Sequence, residues 1–184
     1  MTSAGQGIAV RTLANSIMAA VESHWDMAAP PVIPLPTRRY VAAGDPGSQV
    51  WDCEQLVVSL AGVGFGPAQD AAPPVTPRAG SPAGVMSVRH VVFNIALVRC
   101  IPGPTGRNAA PPEVADLQAA GDRYMTDAGV LSQALVRWAA RTRTSVLPSD
   151  GASSVQLGVI EPGEASGGFV GMAGAAIVTC AALE

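Results

Sequence analysis

Between residues 114 and 138, apolar or small side chains recur at alternating steps of three and four: Val114, Leu117, Gly121, Tyr124, Ala128, Leu131, Leu135 and Trp138. That period predicts one continuous helical seam, opening after Pro111, Pro112 and Glu113 and running to about Arg141. A helix of about 30 residues is roughly 45 Å long. Glu113 and Asp116 lie at its positive end, and Arg137, Arg141 and Arg143 at its negative end, which suits the helix dipole. Gly121 lowers helix propensity, so its place on the seam predicts a close approach of backbone to sheet.

A second helix is expected over residues 7–23. Val10, Leu13, Ile17, Val21 and His24 share one face, while Arg11, Asn15 and Glu22 fall off it. It must stop before the proline-rich stretch 30–36, which favours an extended path. That stretch reads as a stiff connector, or as an arm lying on another subunit. A short strand is expected at 39–42, then a turn at Gly44, Asp45, Pro46 and Gly47.

Residues 50–63 are rich in β-branched side chains and read as a long strand. Residues 85–101 read as another. There Val88, His90, Val92, Asn94, Ala96 and Val98 point one way, and Arg89, Val91, Phe93, Ile95, Leu97 and Arg99 the other. The centre is apolar on both faces, as in a strand covered on both sides. Between these strands, residues 64–84 form an extended loop or arm, too long for a plain connector. The chain closes with a hairpin: a strand at 154–160, a loop at 161–168 and a return strand at 169–183. The small side chains of the return strand allow close packing by the long helix or by a neighbouring subunit. One α+β domain over residues 1–184 follows: a four-stranded, mainly antiparallel sheet of two hairpins, with both helices on one face.

Composition sharpens this picture. The chain has 184 residues, enough for one full core, yet only 14% are charged, against the roughly 25% usual for soluble domains. So little charge predicts a surface partly covered by neighbours. All 11 basic residues are arginine, and with abundant Ala, Gly, Pro and Val this reads as the codon bias of a high-GC genome. The net charge of −3 and the lack of a basic stripe argue against gripping nucleic acid through its phosphates. Cys53, Cys100 and Cys180 are widely spaced and read as buried reduced thiols rather than disulfide partners or zinc ligands. No signal peptide is expected, and no apolar run reaches the roughly 20 residues a membrane span needs. The chain is expected to be made in the cytoplasm.

The residues point to no enzyme, cofactor or metal. His24 ends the first helix, where a surface or capping role is expected. His90 sits in a strand as a satisfied sheet residue. No GxSxG elbow or phosphate-binding loop is present. Asp52 and Glu54 are two apart, hence on one strand face. They read either as a general acid/base pair or, the preferred reading, as solvated or pore-facing acids.

Several stretches together resemble the tail terminator proteins of long-tailed actinobacteriophages. Residues 50–58, VWDCEQLVV, are similar to that family's first core strand. Arg99, Cys100, Ile101 and Pro102 resemble an RCxP ending on the second, followed by a proline-marked long helix with Asp127 in its middle. Glu161, Pro162 and Gly163 through Gly168 and the last strand resemble the closing hairpin. The likeness covers most of residues 40–184. It implies a structural virion protein at the head–tail junction. Copies, six on the family pattern, form a ring that caps the tail tube, ends polymerisation of the major tail tube protein and meets the head's stopper or connector protein. Genomic DNA passes through the lumen without specific binding. Asp45, Asp52, Glu54 and Asp70 are the candidates for an acidic lining. The alternatives are another head-to-tail connector protein and, from a different class, a small cytoplasmic α+β enzyme or ligand-binding domain.

Overall fold

The computed structural model describes residues 3–28, 34–44, 54–65, 88–103, 110–145, 154–163 and 168–181. Their order is α1 (Ser3–Met27), β1 (Arg38–Ala42), β2 (Gln55–Phe65), β3 (Val88–Cys100), α2 (Val114–Ser145), β4 (Ser154–Leu157), β5 (Glu161–Pro162) and β6 (Phe169–Ala181). The strands form one mixed sheet in the order β1-β2-β3-β6-β4, with β5 also on β6. Both expected hairpins are present: β2 pairs β3, and β4 pairs β6, each antiparallel. The long strands β3 and β6 join them in unbroken register from Val88↔Ala181 to Cys100↔Phe169.

The sheet is mainly antiparallel, as expected, but two further strands join the expected four. β1 adds to the edge of β2 in parallel, with Arg38↔Gln55 and Ala42↔Ser59. Five residues carry too little pattern to declare a partner or a direction. Glu161 and Pro162, expected in a loop, pair instead with Ala173 and Met172. The strand expected at 154–160 stops at Leu157, and one extra residue bulges before Glu161 resumes the pairing. A second bulge at Ala61 shifts β2 against β3.

The helices lie on one sheet face. α1 is longer than expected at both ends, and its stripe is buried at Leu13, Ile17, Val21 and His24. Alternation on β3 turns Val91, Phe93, Ile95 and Leu97 into the same core, met by Leu56 and Val58 of β2 and Met172, Ala176 and Val178 of β6. Burial of each large side chain stabilises by about 1.5–3 kcal/mol. From α2 come Leu131, Leu135 and Trp138. The Trp138 indole donates to Ser16 Oγ at 2.9 Å, and Ser16 in turn donates to the Leu13 carbonyl. The small return strand does admit α2 closely: a Cβ on Gly174 would sit 3.8 Å from Leu135 Cδ1. Tyr124 Oη donates to the Gly171 carbonyl at 2.9 Å. Burial raises the Tyr124 phenol above its ordinary range, against the pull of the Gly163 backbone. On the other face of β3, Val98 is buried and Asn94 exposed, so that face is covered only in part.

The seam of α2 is buried only in its second half. Val114 is 79% exposed and Leu117 47%, and Gly121 has nothing within 4 Å of where a Cβ would stand. Gly121 therefore marks no close approach: the first turns of α2 reach beyond the core.

Candidate functional site

Parity on β3 puts Arg99 on the core face, in line with Leu97 and Ile95. A buried guanidinium needs acids, because a lone charge there is costly. α2 supplies one a turn before Leu131: Asp127, fully buried. Arg99 Nε donates to Asp127 Oδ2 at 2.7 Å and Nη2 to Oδ1 at 3.2 Å, a two-pronged pair. Nη1 donates to Glu54 Oε2 at 2.7 Å and to the Pro34 carbonyl at 3.0 Å. The guanidinium carbon lies 5.9 Å from the Trp25 ring centre.

Glu54 extends the cluster. It sits just before β2 with a φ of 59°, which is left-handed backbone that a side chain rarely adopts. That bend aims its carboxylate at Arg99, at Arg123 Nη2 (2.9 and 3.1 Å) and at the Cys100 amide (3.3 Å). Two arginines and two carboxylates thus cancel in charge while joining α1, the connector at Pro34, the start of β2, the end of β3 and α2. Burial pushes the Asp127 carboxyl above the usual aspartate range. Arg99's hydrogen bonds and charge, and Arg123's charge, pull it down, while Glu54's charge pushes it up. Arg123 Nε is buried without a hydrogen-bond partner among the described residues.

The expected site residues fall as follows. Asp45, Asp52 and Asp70 lie outside the described residues, as do connector residues 30–33, the turn beyond Gly44, the arm at 66–84 and hairpin loop residues 164–167. Glu54 belongs to no described strand, and its charge is balanced by Arg99 and Arg123 rather than presented alone. His24 is not a surface or capping group: it is 6% exposed, and Arg137 Nη1 donates to its Nδ1 at 3.1 Å. His90 is a buried sheet residue, with Nδ1 3.0 Å from Thr179 Oγ1 on β6. Cys100 is exposed, not buried; Cys53 lies outside the described residues. The pairing of Arg99 with Asp127 was not foreseen. Its signal was an arginine on an otherwise apolar strand face, together with an aspartate in mid-helix between Tyr124 and Leu131.

A different surface lies along the molecule's sides. Among the described strands, β1 and β4 stand at the two ends of the sheet order. Beside β4, an open apolar groove of about 320 Å³ is lined by Val136, Ala139 and Ala140 of α2 and by Val155 and Leu157. Val136 is 57% exposed and Val159, on the bulge, 78%. On β1, at the opposite end of the sheet order, Val41 is exposed. No group of residues suited to hold a metal ion occurs among the described residues, and no described helix is long and apolar enough to cross a membrane.

Fold and site together define an α+β protein whose described residues form two helices on a mixed sheet, pinned at one end by a buried charge cluster. No family model matches the chain, and no curated protein matches it.

Proposed function

We propose that the chain is a structural virion protein: copies join side by side into a six-membered ring that caps a phage tail tube, ends its polymerisation and joins it to the head connector. The observation that supports this reading is that β1 and β4 stand at the two ends of the described sheet, with Val41 exposed on β1 and Val136 and Val159 exposed beside β4. Unlike surfaces on opposite sides of one molecule can make head-to-tail contacts, which close into a ring when the rotation per copy allows. The low charge content favours the same use, since interface cores are depleted of charge. The ring size, tube capping and place at the head–tail junction come from the resemblance.

The test is to purify the chain, add tail tubes and follow both by mass measurement and electron microscopy. Six-membered rings on tube ends, and overlong tubes when the chain is withheld, are expected. A chain that neither rings nor limits tube length would end the proposal. Its position between tube and head in intact particles separates a terminator from a stopper.

A further inference from the structure

β2 is entered through a backbone conformation that its residue does not favour. Among the described residues, Glu54 at a φ of 59° is the one with positive φ that is not glycine. Left-handed backbone crowds Cβ against the following carbonyl oxygen, so the turn needs something to hold it. The Glu54 carboxylate supplies bonds to three donors: Arg99 Nη1 at 2.7 Å, Arg123 Nη2 at 2.9 and 3.1 Å, and the Cys100 amide at 3.3 Å. The last lies where the β2–β3 ladder gives out. Gln55↔Val98 is its first pair, and two residues further along β3 the Cys100 amide meets a side-chain oxygen instead of a strand carbonyl. Gln55 also opens the pairing with β1, opposite Arg38, and its Oε1 accepts from Tyr40 Oη at 3.4 Å. One turn thus sets where two ladders begin.

The two carboxylates of the cluster are not equivalent. The Asp127 side chain is 1% exposed and takes Nε and Nη2 of Arg99. The Glu54 side chain is 33% exposed and takes Nη1, which also bonds the Pro34 carbonyl. Removing the charge on Glu54 leaves Arg99 tied to Asp127 and Pro34, so the helices stay on the sheet.

We propose that Glu54 is a charge-held latch on the start of β2. While ionised, its carboxylate holds the left-handed turn. When that charge is lost the turn relaxes, Gln55 leaves Val98 and Arg38, and the rest of the fold stays closed. The groups that face the carboxylate are Arg99 and the Cys100 amide from β3 and Arg123 from α2. Asp127 of α2 stands behind Arg99, and the Trp25 ring of α1 lies 5.9 Å from its guanidinium carbon. All three direct partners are donors, so the hold depends on the negative charge. Opening loosens the β1 side of the sheet without unfolding it, whether or not the chain forms a ring.

Hydrogen exchange of the full chain, read amide by amide at rising urea, tests the latch. Amides at 38–40 and 55–57 should exchange through an opening that urea barely speeds, because it exposes little surface. Amides at 93–97 and 174–178 should wait for global unfolding and respond steeply. Glu54→Ala loses the carboxylate and keeps the strain, so exchange at 55–57 should rise at least tenfold. Glu54→Gly should exchange more slowly there than Glu54→Ala, since glycine holds the turn unaided. Glu54→Gln keeps the shape without the charge, and replaces Glu54→Ala in this comparison if the latter does not fold. Moving from about pH 7 to about pH 4 should open 55–57 in the unmodified chain, after correction for intrinsic exchange, and add nothing in Glu54→Gln. A steep urea response at 55–57 overturns the latch, because the turn then opens only with the whole molecule. Equal exchange in Glu54→Ala and the unmodified chain overturns it, as does equal exchange in Glu54→Ala and Glu54→Gly. Acid opening that persists in Glu54→Gln assigns the effect to Asp127 and overturns it too.

Discussion

At the scale of the residue, Asp127 and Arg99 decide most. Each is buried, and removing Arg99 takes away the hydrogen-bond donors of Asp127, so Arg99→Ala should cost about 3–5 kcal/mol in urea unfolding, whereas Asp127→Ala leaves Arg99 bonded to Glu54 and Pro34 and should cost less. The pH dependence has a definite sign. Burial raises the folded Asp127 pKa, so its contribution is complete below the ordinary aspartate value of 3.8 and is lost as pH rises through the folded value. In Asp127→Asn that slope should vanish, and the stability advantage of the native chain over the variant should shrink as pH rises through this window. An advantage that grows with pH would mean that Arg99 outweighs burial. At Glu54 the backbone and the carboxylate can be separated. Both Glu54→Ala and Glu54→Gly lose the bonds to Arg99 and Arg123. Only glycine relieves the left-handed φ, so it should be the more stable variant by about 1 kcal/mol. Arg39 and Glu22 form an ion pair at 3.2 Å that is over a third exposed on each side, and it should contribute little.

At the scale of the element, α2 is two structures in one helix. Its second half is held by Leu131, Leu135 and Trp138. Its first turns rest on propensity and on Asp116 in the first turn. Gly121 is exposed with open space around it, so Gly121→Ala should raise stability by about 1 kcal/mol, read as a higher Tm. The contrasting glycine is Gly163. There an added Cβ would lie 3.1 Å from the Gly171 carbonyl oxygen, which also accepts bonds from the Gly163 amide and Tyr124. Gly163→Ala should therefore lower stability by about 1–3 kcal/mol through crowding of fixed backbone. In the β4–β5 edge, the bulge at 158–160 leaves only four paired residues before the interruption, so that edge offers a short platform rather than a long sticky strand.

At the scale of the whole molecule, the proposed ring needs a lumen through which DNA slides. Asp45, Asp52 and Asp70 remain the candidates for an acidic lining, while Glu54 is tied into the charge cluster. Replacing the three aspartates with asparagine should leave assembly intact but slow genome ejection, measured as DNA release from purified particles. Unchanged release would reject the acidic lining. Glu54 is left out of this variant because its loss would weaken the fold and blur the readout.

Periods and parity were legible in the chain itself. The 3-4 spacing of α2, the alternation of β3 and the glycine- and alanine-rich return strand follow from local backbone geometry, so helices and hairpins were foreseeable. Alternation also grouped Arg99 with Val91, Phe93, Ile95 and Leu97, but with both faces of β3 apolar it did not say which of them turns to the helices. What the spacing could not tell was partnership. The parallel seat of β1, the bond from Arg137 to a buried His24 and the bidentate meeting of Arg99 with Asp127 join residues far apart in the chain, and no local rule chooses among such pairings. The extent of the core is a further tertiary outcome. An apolar seam states which side of a helix seeks burial, but only the length of the sheet beneath it decided that Leu131 is covered and Val114 is not.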